Sequence, residues 1–300
     1  MRVNPNLVPD ILAAIQQSQA TLNTALQQVS TGKSVSVPSD NPAASADMVQ
    51  NTIESGDVDQ YTQNVSGVLT MVQTADSALG SVVSALTQAI SLGTEGASGT
   101  NSAANQQALA QQVQGILSSV VSQANLSYEG AYLFGGTASS TVPYTASAAS
   151  PSGYTYNGND GVNSVAVGDQ LSVQVNLPGS QIFSNSSNSV LGSLSTLVSA
   201  LQSGNAASIE SATTGVNTAL SYVSQQRVFY GNAERQLNSQ ETYLQQETVS
   251  LSTQQTNLVG VNMATAATTL SQAETANSAA LAAAAKVLPT TLLNYLSTPN

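Results

Sequence analysis

The sequence predicts a mainly α chain with a small β-rich insert, arranged as an elongated antiparallel helical bundle with terminal coiled-coil helices. Three observations predict it. Apolar residues recur at every seventh position along several long stretches, the spacing that keeps one stripe of a helix against a partner. One stretch, around residues 164–177, alternates apolar and polar residues instead, the period of a strand. The third observation is composition. Of 300 residues only 7% are charged and 4% aromatic, with no Trp, while roughly two-fifths are Ser, Thr, Asn or Gln, far above ordinary usage. A large aromatic core is not expected from such a chain, which must bury small and aliphatic side chains in long, thin contacts.

The first helix carries Val8, Ile15, Leu22 and Val29 at heptad spacing, with Leu12, Ala25 and Leu26 between them. Pro9 and Asp10 suit its first turn, Gly32 suits its end, and Lys33 follows near the negative end of the helix dipole. Pro38 breaks any continuation; Asn41 can cap a second helix whose first position is Pro42. That helix repeats Val58, Val65, Val72, Leu79 and Leu86 at one heptad position and Tyr61, Val68, Ala75, Val82 and Ala89 at its companion. "GTEGASGTNSAAN" is a glycine-rich break. A third helix, from about Asn105, carries Leu109, Val113, Ile116, Val120 and Ala124.

From about 139 to 185 the pattern changes. Val165 and Val167, then Leu171, Val173, Val175 and Leu177, alternate with polar residues around "GDQ", a hairpin signature. Helix resumes at Val190 with Leu191, Leu194, Leu197, Val198 and Leu201, and "SGN" marks a turn. The longest series follows: Val216, Val223, Tyr230, Leu237, Leu244, Leu251 and Leu258. A last helix carries Met263, Leu270 and Leu281, then Val287, Leu288, Leu292, Leu293 and Leu296. The predicted organisation is terminal coiled-coil assembly segments at 1–42 and 262–300, a helical rod at 43–138 and 190–261, and an outer β-rich insert at 139–189.

Composition also bounds function. Cys and His are both absent, which removes thiolate chemistry, the commonest general base and the commonest metal ligand. The triplet Gly32-Lys33-Ser34 is not a phosphate-binding loop, because such a loop needs a glycine five positions earlier and follows a buried strand; position 27 is Gln27. "NGNDG" at Asn157 to Gly161 is not a calcium loop, since aligning Gly161 with the loop glycine puts Tyr156 and Val167 at ligand positions. No catalytic, cofactor-binding or metal-ligating residues are expected, and the chain is not read as an enzyme. The net charge of -11 is opposed only by Arg2, Lys33, Arg227, Arg235 and Lys286, so neither nucleic acid nor an anionic membrane is an expected partner. The N-terminal stretch lacks the apolar block of a cleaved secretory signal. Export by another route is expected.

The terminal stripes exceed what one helix pair can hide. Ile11, Ile15, Leu22, Leu26 and Val29 at one end, and Met263, Leu270, Leu281, Leu292 and Leu296 at the other, predict intermolecular assembly. On this reading Leu22→Asp or Leu270→Asp should block incorporation into the assembly and leave the helicity of the isolated chain nearly unchanged.

Several motifs carry a family resemblance. "VSTGKSVSVPSDNPAA" (29–44) resembles the N-terminal signature of bacterial flagellins and their junction relatives, in which one helix ends at Ser-Thr-Gly-Lys and a Pro-Ser-Asp-x-Pro-Ala turn starts the next. "ADSALGSVVSALTQA" (75–89), "YLFGGT" (132–137), "YNGNDG" followed by "LPGSQIF" (177–183), "AATTLSQAETA" and "LLNYL" (292–296) are similar to the hook-filament junction branch of that family. The chain departs from the family pattern at Ser34, at Asn41, at Gly260 and Asn262 where acids are usual, and at Arg235 in "RVFYGNAERQL" where Asn is common. The resemblance implies a structural adaptor joining hook to filament, with the filament subunit itself as the close alternative and a non-flagellar secreted helical translocator as a remoter one. A cell-wall hydrolase on the same scaffold would need a carboxylate cluster that Asp160 and Asp169 do not make. It implies terminal segments that fold together as a coiled coil in a homo-oligomeric helical tube, and a hook-side junction protein and filament flagellin as neighbours. It further implies flagellar type III export to an extracellular position, an export chaperone at the apolar C-terminal helix around Leu281 to Leu296, and no cofactor.

Overall fold

The computed structural model describes residues 7–98 and 101–296, and side chains within 9–98 and 101–286. The helices are α1 (Leu7–Thr31), α2 (Pro42–Gly96), α3 (Ala103–Ala124), the single turn α4 (Gly179–Ile182), α5 (Val190–Ser203), α6 (Ala206–Val259) and α7 (Met263–Leu296). Between α3 and α4 lie three two-stranded antiparallel ladders, β1 (Ser127–Tyr128) with β2 (Ala131–Tyr132), β3 (Tyr144–Ala146) with β4 (Tyr154–Tyr156), and β5 (Ser164–Gly168) with β6 (Leu171–Gln174). The molecule is therefore mainly α with a small strand insert.

Contacts divide the described residues into two compact units, one running to Asp57 and resuming at Glu247, the other Val58–Gln246. Within the first unit the start of α2 is tied to the end of α6, where Asn51, 2% exposed, donates its amide to the Leu251 carbonyl and to Gln254. Strand pairing also starts at Ser127, ahead of the predicted insert boundary at 139.

In the larger unit the heptad residues of α2 form the core. Val58, Val65, Val68, Val72, Ala75, Leu79, Val82, Leu86 and Ala89 are buried, with Tyr61 half-buried at the edge. On α6 the facing series Val216, Val223, Tyr230, Leu237 and Leu244 is buried. Arg227 clamps the two helices with a bidentate pair to Asp76 at 2.9 and 2.7 Å; that hydrogen bonding and charge raise the guanidinium pKa further. On α3 the stripe shifts by one residue, since Leu117 is buried where Ile116 is half-exposed. Ser102 and Ser189 cap α3 and α5, and α5 ends at Gly204 with φ +71°.

The insert holds a compact aromatic cluster that composition did not suggest. Phe134 and Phe183 meet edge to face at 5.2 Å, and Tyr144 stands against Phe183 at 5.9 Å and Tyr156 at 5.2 Å. The backbone of "YLFGGT" meets that of "LPGSQIF" through Gly179 N–H donating to the Phe134 carbonyl at 2.7 Å. A Cβ on Gly136 would lie 2.1 Å from the Asn159 carbonyl oxygen, and φ there is +71°, so this close approach requires glycine. "NGNDG" is a turn in which the Asn159 side-chain oxygen accepts from the Thr137 and Gly161 amides. Tyr230 reaches the same region, its buried hydroxyl accepting from the Leu177 amide; burial pushes that hydroxyl's pKa up.

Candidate assembly interface

The terminal helices meet at a short joint. Helix α1 stops at Gly32, which takes φ +68°. The next residues pair antiparallel with the end of α6: Ser34 N–H donates to the Val259 carbonyl at 2.7 Å, and Val261 N–H donates to the Gly32 carbonyl at 3.0 Å, with Lys33 opposite Gly260. Asn262 then caps α7, its side-chain oxygen accepting from the Ala264 and Thr265 amides. Gly260 and Asn262 thus serve as a tight bridge residue and a neutral cap. A Cβ on Gly260 would sit 2.3 Å from the Thr256 carbonyl oxygen. Gly260→Ala is expected to destabilise this joint by about 1–3 kcal/mol, read as a lower melting temperature of the terminal unit.

On the other side of the joint, Asp40 accepts from the Ser36 and Val37 amides at 2.9 and 3.0 Å, and Asn41 caps α2 through the Ala44 amide at 3.1 Å. The Val37 amide first, and the Ser36 amide second, hold the Asp40 carboxyl below the usual carboxylate range. Because the folded value is depressed, the turn's stabilisation is present above the ordinary carboxylate range and is lost as pH falls through the lowered value. Acidification through that lowered value is expected to reduce the protection of the Ser36 and Val37 amides relative to their intrinsic exchange rates, and Asp40→Asn to remove most of that pH dependence; nuclear magnetic resonance of the two amides checks both.

Since α1 ends and α7 begins at the same bridge, the two helices run antiparallel and in contact. The buried and half-buried positions include Ile11, Ile15, Ser18, Leu22, Ala25 and Val29 on α1 and Ala266, Leu270, Ala273, Asn277, Ala280 and Ala284 on α7. Both series step by four and three residues, the seam of a coiled coil. On α1 the stripe is made mostly of large apolar side chains, and on α7 mostly of alanine. Ala266, Ala273 and Ala284 were missed as seam residues because alanine carries little weight in an apolar count; their heptad spacing with Leu270 was the available signal.

The predicted assembly residues therefore separate. Ile11, Ile15, Leu22, Val29 and Leu270 are half-buried on the seam within the chain. Leu26, Met263 and Leu281 are 46%, 50% and 47% exposed, and Leu12, beside them in type, is 56% exposed. Leu292 and Leu296, with Val287, Leu288 and Leu293, lie outside the described side chains. With Leu22 and Leu270 half-buried, Leu22→Asp or Leu270→Asp is expected to disturb the helix pair as well as any assembly built on it. Near the joint, Val35, Val37, Pro38, Met48 and Val49 line an open groove of about 260 Å³ rimmed by Lys33. Among the described residues no helix is long and apolar enough to cross a membrane, and no group of three acidic side chains is placed to hold a metal ion.

Comparison with known proteins places this architecture. The model of the bacterial flagellin N-terminal helical region matches residues 8–139, and that of the bacterial flagellin C-terminal helical region matches residues 213–296. No curated protein matches the sequence. Among solved structures, a Vibrio parahaemolyticus protein described as flagellar hook-associated is 19% identical with a TM-score of 0.67, covering 74% of this chain and 100% of that one. FlgL of Bacillus cereus is 19% identical with a TM-score of 0.60, covering 69% and 99%. The flagellar hook-associated protein-3 of Legionella pneumophila is 13% identical with a TM-score of 0.63, covering 70% and 98%. These likenesses show a shared fold. With its N- and C-terminal helical regions both matched, over more than two thirds of its length together, the chain belongs to the bacterial flagellin family.

Proposed function

We propose that the chain is a structural subunit of the bacterial flagellum that joins the hook to the filament. The observation that carries this reading is the terminal helix pair, which closes its own seam and still exposes Leu12, Leu26, Met263 and Leu281. Apolar side chains left over after a helix has found its partner are what a subunit lattice buries. Neighbouring copies in a helical tube are their natural cover, with a hook-side junction protein and filament flagellin at the two ends. Support for a junction role over a filament role comes from the "YLFGGT" and "LPGSQIF" segments packed together in the insert, and from the flagellar hook-associated proteins among the solved structures that share the fold. The role is mechanical; catalysis has no part in it. The chain reaches the flagellum through the type III export apparatus, with a chaperone holding the helix around Leu281 to Leu296 before assembly.

Electron microscopy of cells lacking the gene, with flagellin assayed in the medium, tests this reading. Hooks without filaments together with spilled flagellin are the expected result. Bare hooks without spilled flagellin would identify the filament subunit instead, and normal filaments would overturn both.

A further inference from the structure

Two surface features of the larger unit are matched in charge and in apolar character. The first is a groove of about 510 Å³ beside α2, floored by buried Val68 and Val175 and walled by half-buried Met71, Tyr128 and Val165, with exposed Glu129 at its rim. Glu129 holds that place at a conformational cost. It and Gly130 make the two-residue turn between β1 and β2 with φ +50° and +82°, a left-handed pair usually filled by Asn, Asp or Gly. A longer acidic side chain kept in such a conformation points to a binding role. The second feature is the outward face of α6. Val228 is 59% exposed, and Arg235, also exposed, stands seven residues on, so the two lie on one line about 10 Å apart. Arg227 and Arg235 are the basic residues of this unit. Arg227 is paired to Asp76 at 2.7 Å, whereas Arg235 donates to Asn232 on its own helix and no acid stands three or four residues from it.

We propose that the stripe of Val228 and Arg235 on one copy of this chain docks into the Glu129 groove of the next, with Arg235 paired to Glu129 across the contact and Val228 covering the apolar walls. The inference rests on the flagellar reading and names a face by which its subunits meet. Charge identifies the occupant. At a net charge of -11, copies of this chain repel one another, so a contact between copies needs its few cations aimed at acids. Of the two in the larger unit, Arg235 is the one that no carboxylate of its own chain holds. The level also fits: Gln73 of α2 donates to Glu234 of α6 at 3.0 Å, which sets Arg235 at the height of Met71 and the groove. Groove and stripe are different surfaces, because Asn64 and Met71 lie on the side of α2 away from Gln73 and Asp76, the residues that reach α6. A contact that joins two different surfaces is heterologous and repeats from copy to copy, as a helical array requires.

The absence of Cys makes the test direct. Glu129→Cys and Arg235→Cys are combined in one full-length chain and oxidised in purified flagella. The double variant should give dimers and higher multimers, and neither single variant should. Charge reversal supplies a second reading. Glu129→Arg or Arg235→Glu should each lower the amount of chain found in flagella by about tenfold or more on immunoblots, and the two together in one chain should restore it. Both positions are exposed, so the isolated variants should keep the original melting temperature. Gly67→Met, at a groove position with nothing within 4 Å of a Cβ, should fill the groove and block incorporation without harming the helix. Normal incorporation of either reversal, or no multimers from chain that is present in flagella, would overturn this contact and leave the flagellar reading standing. A loss with Glu129→Arg that Arg235→Glu does not repair would mean that the groove receives a different protein, and would overturn it too. Absence of the unaltered chain from purified flagella would overturn the contact and the flagellar reading together.

Discussion

Phe183→Ala is expected to lower the stability of the larger unit by about 3–5 kcal/mol, the range for deleting a fully buried aromatic side chain. Phe183 is 0% exposed and meets Phe134 and Tyr144 edge to face. Its carbonyl also accepts from the Leu191 amide, tying the single turn α4 to the start of α5. Truncation would remove the ring between two others, and the backbone contact between Gly179 and Phe134 would resist collapse around the void. For a unit of this size the loss corresponds to a fall in melting temperature of about 10 °C. Calorimetry of the full chain reads it, with Val228→Ala, at a position 59% exposed, as a comparison expected to stay within about 0.5 kcal/mol. An unchanged melting temperature for Phe183→Ala would mean that the insert is not organised around this cluster.

Leu26→Asp is expected to abolish incorporation into a tube while leaving the isolated chain within about 0.5 kcal/mol of its original stability. The side chain is 46% exposed on α1 and off the seam formed by Leu22, Ala25 and Val29. In the monomer an aspartate there stays in water. In an assembly that covers the position, each subunit would lose about 1.5–3 kcal/mol of leucine burial and would desolvate a charge as well. Leu22→Asp is the internal contrast, since it disturbs the helix pair before any assembly. Circular dichroism of the purified variants and electron microscopy of complemented cells separate the two effects. Incorporation of Leu26→Asp at the normal level would show that this face stays in water in the flagellum.

Much of the architecture was legible because heptads report burial wherever a helix packs lengthwise. Val58 to Leu86 on α2 and Val216 to Leu244 on α6 occupy the core that their spacing predicted. The helix stops were legible for local reasons: Gly32 and Gly204 take positive φ, and Asn41 and Asn205 supply caps. The assembly residues were legible as a set and not individually. Leu22 and Leu26 carry the same side chain four residues apart on one helix, and intrinsic hydrophobicity cannot say which of them the chain hides itself. Nor could composition foresee that Phe134, Tyr144, Tyr156 and Phe183, well separated in sequence, converge on one small cluster.

The sequence by itself thus determined the helices, their ends, the strand-forming insert and the family, because each depends on periodicity and capping within a short reach of chain. Tertiary structure alone decided which terminal leucines are spent within the chain and which are left outward. The reason is that α1 docks against α7 across more than two hundred residues of chain, and local propensity carries no information at that distance.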